Sequence, residues 1–304
     1  MKAPAAKIDL SNPLEFTGER FTPECVREIW YEHFHRYAVA CELVRGMDVL
    51  DAACGEGYGS ALLATAAHSV TGVDLSETAV AHARTRYSAE GLRFMVADCL
   101  ELPFEDDEFD CIVSFETLEH LEDHQALMAE FRRVLKPGGF LLISSPDKAV
   151  YTDQLQNRNE FHAKELYREE LESLLRSHFP AYRLWGQKLL FQSAIWSLEE
   201  QPGVAFHQEE NGRLDSFSSL NHDPVYFIAV CAADDGCLPT IRQGLSLFDD
   251  AGESVYEHYY HEIRKNMAAG KLLAEKESEL AELRSALEEK QRAPGWWSRL
   301  LGRS

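Results

Sequence analysis

From Met47 onward the chain alternates short apolar runs with amphipathic stretches, and no other feature restricts its fold as tightly. MDVLDAA, SVTGVDL, GLRFMVAD, FDCIVSF and GGFLLISS read as strands, with helices over 59–67, 77–88 and 124–135 between them. A strand that returns parallel to its predecessor needs a crossover, usually a helix, so this alternation predicts βαβ units around a mostly parallel sheet with helices on both faces. Further on, a helix is predicted over 163–177 and two strands over 182–195 and 225–231, separated by a polar, loop-rich stretch at 199–223. Ahead of the core, a leader with Pro and Gly breaks gives way to a helix over 23–44, where Trp30, Phe34, Tyr37 and Cys41 recur at helical spacing.

These patterns divide the 304 residues into an N-terminal lid and helix (1–45), an α/β domain (46–233), a linker (234–252), a charged helix (253–291) and a basic aromatic tail (292–304). Leu273, Leu280, Leu283 and Leu287 fall partly on heptad positions, which makes the charged helix a coiled-coil candidate and a route to a homo-oligomer. A formal net charge of −21 repels phosphate backbones, so nucleic acid is not expected as a partner. The seven cysteines are dispersed without a CxxC pair, as expected of reduced thiols in a cytosolic protein. The first residues hold no apolar segment of the signal-peptide type and no run approaches about 18 apolar residues, so a cytoplasmic location is expected.

The chemistry begins at VLDAACGEGYGS, where an apolar strand ends in Asp51 and a turn with Gly55, Gly57 and Gly59 leads into a helix. Such a turn lets a ligand lie against bare backbone at the positive end of the helix. A dinucleotide site would use G-x-G-x-x-G to seat a diphosphate, but here the pattern is G-x-G-x-G and position 60 is Ser. Asp51, aimed at the loop, would repel a diphosphate and suits a ligand that carries an ammonium group. Asp74 ends the second strand, where a carboxylate can accept from both hydroxyls of a ribose, and Asp98 ends the third, placed to accept from an adenine amino group. Phe115 and Glu116 end the fourth strand, and LKPGGFLLISSP turns into a fifth.

Residues 46–150, taken in order, resemble the class I S-adenosylmethionine (SAM)-dependent methyltransferases. The resemblance implies a Rossmann-like sheet whose seventh strand, at 225–231, is antiparallel. It also implies SAM as cofactor, bound by Arg36, Tyr37, Asp51, Ala53, Gly55, Gly57, Tyr58, Asp74, Leu75, Asp98, Cys99 and Phe115. Arg36 is expected to pair with the cofactor's carboxylate. TGERFTPE, EHFHRYAVACELV, ACGEGYGSALLA, VSFETLEHLEDH and NEFHAKELYREEL resemble bacterial methyltransferases associated with glycosyltransferases in surface polysaccharide (O-antigen) synthesis. That narrower likeness implies O-methylation of a sugar, or of a phosphate on a sugar chain, with a lipid-linked glycan as acceptor and a glycosyltransferase as a candidate partner. The alternative is a methyltransferase of a small metabolite such as a quinone or lipid precursor.

A sugar hydroxyl is a poor nucleophile at neutral pH, so a general base is expected, and histidine has the suitable pKa. His120, just after the fourth strand, and His162, in NEFHAKE, are the candidates, with Glu116 on the cofactor side. Glu19, Arg20 and Phe21 in GERF are candidates for a lid. His258 and His261 lie at i, i+3 on a helix, but no third ligand stands near them in sequence, so no metal is expected. In the tail, Trp296, Trp297, Leu300 and Leu301 stand beside Arg292, Arg299 and Arg303, a composition suited to weak, peripheral contact with the inner face of the cytoplasmic membrane.

Overall fold

The computed structural model describes residues 28–190, 204, 206–210, 212–220, 222–241 and 244–292. The chain separates into two compact units, Met1–Phe248 and Asp249–Ser304. In the first, α1 (Glu28–Leu43) precedes β1 (Asp48–Ala52), α2 (Tyr58–Leu63), β2 (Ser69–Asp74), α3 (Glu77–Arg86), β3 (Leu92–Val96), β4 (Phe109–Phe115), α4 (His124–Val134) and β5 (Leu135–Pro146). Then come α5 (Arg168–His178), β6 (Ala181–Gln187), a hairpin of β7 (Phe206–Glu210) and β8 (Arg213–Phe217), and β9 (Tyr226–Ala232).

Seven strands form one sheet in the order β3-β2-β1-β4-β5-β9-β6. The β1–β2, β1–β4, β2–β3 and β4–β5 pairs are parallel, and β9 runs antiparallel between β5 and β6. This is a Rossmann-like sheet with its last two strands paired antiparallel. The central strands read as unbroken apolar runs because both of their faces are covered. Successive side chains feed opposite cores: Leu50, Ile112, Leu141 and Ile143 pack with Phe131 of α4 and Leu175 of α5. Val49, Val113 and Leu142 pack with Ala40 of α1, Leu63 of α2 and Val80 of α3. The order reverses at β1, which has β2 on one side and β4 on the other. In open α/β sheets that reversal leaves a crevice beyond the carboxyl ends of the strands.

Four elements differ from the sequence reading. The helix predicted from 163 starts only at Arg168, because the Glu170 side chain accepts from the Tyr167 amide and caps it there. Residues 155–167 therefore stay outside a helix, and His162 with them. The polar stretch at 199–223 contains the β7–β8 hairpin, for which the Asn-Gly pair at 211–212 is the signal that its composition hid. Strand β6 closes at Gln187, and 191–195 lie outside the described residues. Strand β5 starts at Leu135, directly after α4, so Pro137-Gly138-Gly139 belongs to the strand, beside a register shift between Phe109 and Cys111.

After β9, Cys237, Leu238 and Ile241 pack on the domain's core, and Phe248 packs its ring against Trp30, Tyr31 and His35 of α1. The second unit is the helix α6 (Ser254–Arg292), with Leu273, Leu280, Leu283 and Leu287 exposed. No helix among the described residues is long and apolar enough to cross a membrane. The candidate lid residues Glu19, Arg20 and Phe21, and the tail from residue 293, lie outside the described residues.

Candidate active site

The crevice at the switch point is a cleft of about 470 Å³, lined by the ends of β1–β4, one face of α1 and the segment after β5. Its floor is the loop after β1. Cys54 donates its amide to the Val73 carbonyl, tying the loop to β2, and Ala53 takes a left-handed φ of 58°. Gly57, at φ 93°, has no room for a Cβ: one would lie 2.8 Å from Ala83 and from the Phe94 ring. At Gly59 a Cβ would meet the Tyr37 ring at 2.0 Å. The second and third glycines of the motif thus serve close packing of α1 and α3 on the loop. Glu56, wholly buried, accepts from Tyr87 Oη at 2.7 Å and contacts Arg86 and His82, pinning the loop to α3.

Asp74 is the best-held group in the cleft. Its Oδ2 accepts from the Gly55 amide and its Oδ1 from the Ser76 amide, both at 2.9 Å. A carboxylate fixed by two backbone donors is preorganised to accept further hydrogen bonds, as a ribose diol requires. Beside it Leu75 is 72% exposed, an apolar side chain that a flat ring would cover, and Asp98, Ala97 and Cys99 line the same end. Burial pushes the Cys99 thiol up to about 12, so it stays protonated and packs as a small apolar group. Tyr37, Ala53, Gly55, Tyr58 and Phe115 complete this part of the cleft.

Three residues assigned to the cofactor do not line the cleft. Asp51 is fully buried behind the loop, where it accepts from Ser60 Oγ at 2.6 Å and Tyr37 Oη at 3.2 Å. Burial pushes its carboxyl up to about 7, so it organises the loop from within rather than meeting an ammonium group. Gly57 is turned into the packing against α3. Arg36 is 1% exposed, its guanidinium 4.9 Å above the Tyr226 ring and 3.1 Å from Glu116 Oε1. Burial opposes its charge, but Glu116, Tyr226 and Glu32 outweigh that and raise its pKa. Arg36 therefore acts on the cleft through Glu116, because a buried cation needs a carboxylate next to it.

Glu116 itself lines the cleft in a left-handed conformation, φ 52°. Ser144 Oγ donates to its Oε1 at 2.6 Å and accepts from its amide at 3.1 Å, which holds the turn at the end of β4. Beyond it, the short turn Leu118–His120 and the loop after β5 form the other end of the cleft. His120 and His162 stand with ring centroids 5.1 Å apart, edge to face. His120 Nδ1 lies 2.9 Å from the Phe161 carbonyl and His162 Nδ1 2.5 Å from Glu165 Oε1. Since both partners accept, each Nδ1 carries a proton, and in the neutral imidazole the lone pair is then on Nε2.

Several lining residues escaped the sequence reading. Ile29 and His33 join Tyr37 at i, i+4 spacing on α1, a face that could have been read from the helix. Burial and Arg36 hold the His33 imidazole well below its ordinary pKa, so it is neutral. Ser76, Thr117, Glu119, Tyr151, Asn159 and Tyr226 also line the cleft, and only the chain's tertiary course brings the last three there.

A family model described as a methyltransferase domain matches residues 50–143. A probable S-adenosylmethionine-dependent methyltransferase of Mycolicibacterium smegmatis is 38% identical over 171 residues, covering 55% of this chain and 66% of that protein. A protein of the same description from Mycobacterium tuberculosis is 38% identical over 178 residues, covering 57% and 63%. Phthiotriol/phenolphthiotriol dimycocerosates methyltransferase 1 of Mycobacterium ulcerans is 38% identical over 111 residues, covering 36% and 41%. The chain spans less than two thirds of the length of each of these relatives. The backbone-held Asp74, the exposed Leu75 and the bare loop fit the cofactor that the matched family uses. The chain carries a class I SAM-dependent methyltransferase domain, and SAM is its cofactor.

Proposed function

We propose that the chain is a methyltransferase that O-methylates a sugar, or a phosphate on a sugar chain, of a bacterial surface polysaccharide. The observation that carries the reading is the pair of imidazoles, His120 and His162, at the opposite end of the cleft that Asp74 and Asp98 line. When bound, SAM supplies an electrophilic sulfonium methyl group, so the protein's share is placement and proton removal. Asp74 offers its fixed carboxylate to the ribose end, and Glu116, clamped by Ser144 and Arg36, borders the middle of the cleft. His162, with Glu165 holding its Nδ1 proton, presents the Nε2 lone pair of a general base, and His120 is oriented the same way by the Phe161 carbonyl. With a hydroxyl acceptor, one of these nitrogens would take the O–H proton as the oxygen gains the methyl group, leaving the methyl donor as a neutral thioether. The sequence segments GERF and FHAKELYREE support a glycan over a small metabolite.

A lipid hydroxyl is the second reading, favoured by the relative named for phthiotriol and phenolphthiotriol dimycocerosates. Mass spectrometry of purified surface polysaccharide from cells with and without the intact gene decides: loss of an O-methyl group from the glycan is expected. An unchanged glycan beside an under-methylated lipid would overturn the first reading for the second. The tail at 292–304 completes the proposal as a weak membrane contact near a lipid-linked acceptor and its glycosyltransferase, with α6 as a self-association helix. Flotation with anionic liposomes at low salt should separate full-length protein from a chain ending at Gln291; equal, weak flotation refutes the membrane contact.

A further inference from the structure

We infer that Glu119, His120 and His162 form a binding site for a divalent cation of borderline softness, Zn²⁺ being the type. One ligand atom from each residue lies within 4.8 Å of those of the other two. A tetrahedral zinc ion about 2.0–2.1 Å from each ligand would hold them roughly 3.4 Å apart, a closure within reach of side-chain rotation. Two imidazoles and one carboxylate match the donor set of zinc sites that keep a fourth position open, and here that position faces the cleft.

The surroundings are those of a metal site as well as the ligands. Metal-bound histidines characteristically donate the remote ring N–H to a carbonyl or carboxylate, which fixes the tautomer and the ring's direction. His120 makes that bond to the Phe161 carbonyl and His162 to the Glu165 carboxylate. Glu165 is held in turn by Thr152, whose hydroxyl donates to Oε2 at 2.5 Å. The two ligand-bearing segments are tied together where the Lys164 amide donates to the Glu119 carbonyl.

Glu119 supplies the independent observation. It is 1% exposed, and its Oε2 is buried with no hydrogen-bond partner. A buried carboxyl oxygen left unmet costs about 1–3 kcal/mol, and protonating it would leave an O–H equally unmet. A cation beside it removes that cost. His258 and His261 on α6 belong to a different unit and have no part in this cluster.

The proposal goes beyond the methyl-transfer reading and does not depend on the acceptor's identity. In the metal-free protein the same lone pairs are the candidate bases. The test is titration of chelator-treated full-length protein with CoCl₂, read by absorbance, and with ZnCl₂, read by calorimetry, SAM affinity being measured alongside to certify the fold. One equivalent of Co²⁺ with the intense visible band of tetrahedral coordination is expected. Zn²⁺ affinity should fall at least about tenfold in both His162→Ala and Glu119→Gln, and should be unchanged in His258→Ala/His261→Ala. No band and no saturable Zn²⁺ binding would overturn the proposal. So would binding that survives in His162→Ala and disappears in His258→Ala/His261→Ala. A chain that binds one Zn²⁺ here yet methylates no glycan keeps the site and loses the glycan reading, so the two fail separately.

Discussion

At the cofactor end of the cleft, the functional groups are held by backbone: two amides fix Asp74, and Ala53, Gly55 and Gly57 bend the loop through left-handed conformations. At the end that holds the two imidazoles they are held by a side chain and a remote carbonyl: Glu165 on His162 and Phe161 on His120. Backbone scaffolding requires a particular order of residues over a few positions, such as VLDAACGEGYGS or VTGVD. Side-chain scaffolding requires only that distant segments meet, and it can change without disturbing the sheet. The first end can thus be shared by enzymes with many acceptors, while the second is free to differ between them.

The largest difference between the two ends is expected at His162. His162→Ala should lower methyl transfer roughly 10²–10⁴-fold while leaving SAM affinity within about twofold, because the proposed role of the imidazole is in proton removal and not in holding SAM. Steady-state turnover beside SAM calorimetry reads both. A large loss of SAM affinity would show that the two ends are not separable. Asp74→Ala is the converse: it should weaken SAM by roughly 10- to 150-fold, the equivalent of about 1.5–3 kcal/mol, by removing a charged double acceptor. An unchanged dissociation constant would mean that the ribose is held elsewhere.

The next effect lies behind the loop. Asp51 has its pKa raised by burial to about 7 from an ordinary 3.8. Between those values the folded chain keeps the proton and the unfolded chain has lost it, so stability is fullest below the lower value and falls as pH rises toward 7. Urea midpoints at about pH 5 and pH 7.5 should therefore show Asp51→Asn gaining on the natural chain by about 2 kcal/mol as pH rises. A pH-independent difference would contradict the buried placement of Asp51. The smallest effect is expected at Leu75, whose exposed side chain a bound adenine would cover: Leu75→Ser should cost SAM affinity about two- to fivefold.

How legible each end was in the sequence follows the same division. Asp74 and Phe115, the last residues of β2 and β4, and Leu75 and Asp98, just beyond β2 and β3, line the cleft because the carboxyl ends of the parallel strands open on it. Asp51 and Arg36 do not line the cleft, for one reason: sequence names the element but not which side of it is covered, and both side chains are buried. His120 and His162 were singled out as titratable groups near strand ends, but their meeting depends on residues 155–167 staying out of a helix. Tyr151 and Tyr226, brought to the cleft by the segment after β5 and by the antiparallel strand β9, carry no local signal.

The backbone-built end of the cleft selects SAM rather than a dinucleotide. Calorimetric titration of the purified chain with SAM and, separately, with NAD tests it directly. One equivalent of SAM should bind, with NAD at least about 100-fold weaker, since Ser60 stands where the dinucleotide pattern has its last glycine and Asp74 is held at the ribose position. NAD binding as tight as SAM, or no SAM binding by a folded chain, would contradict the account.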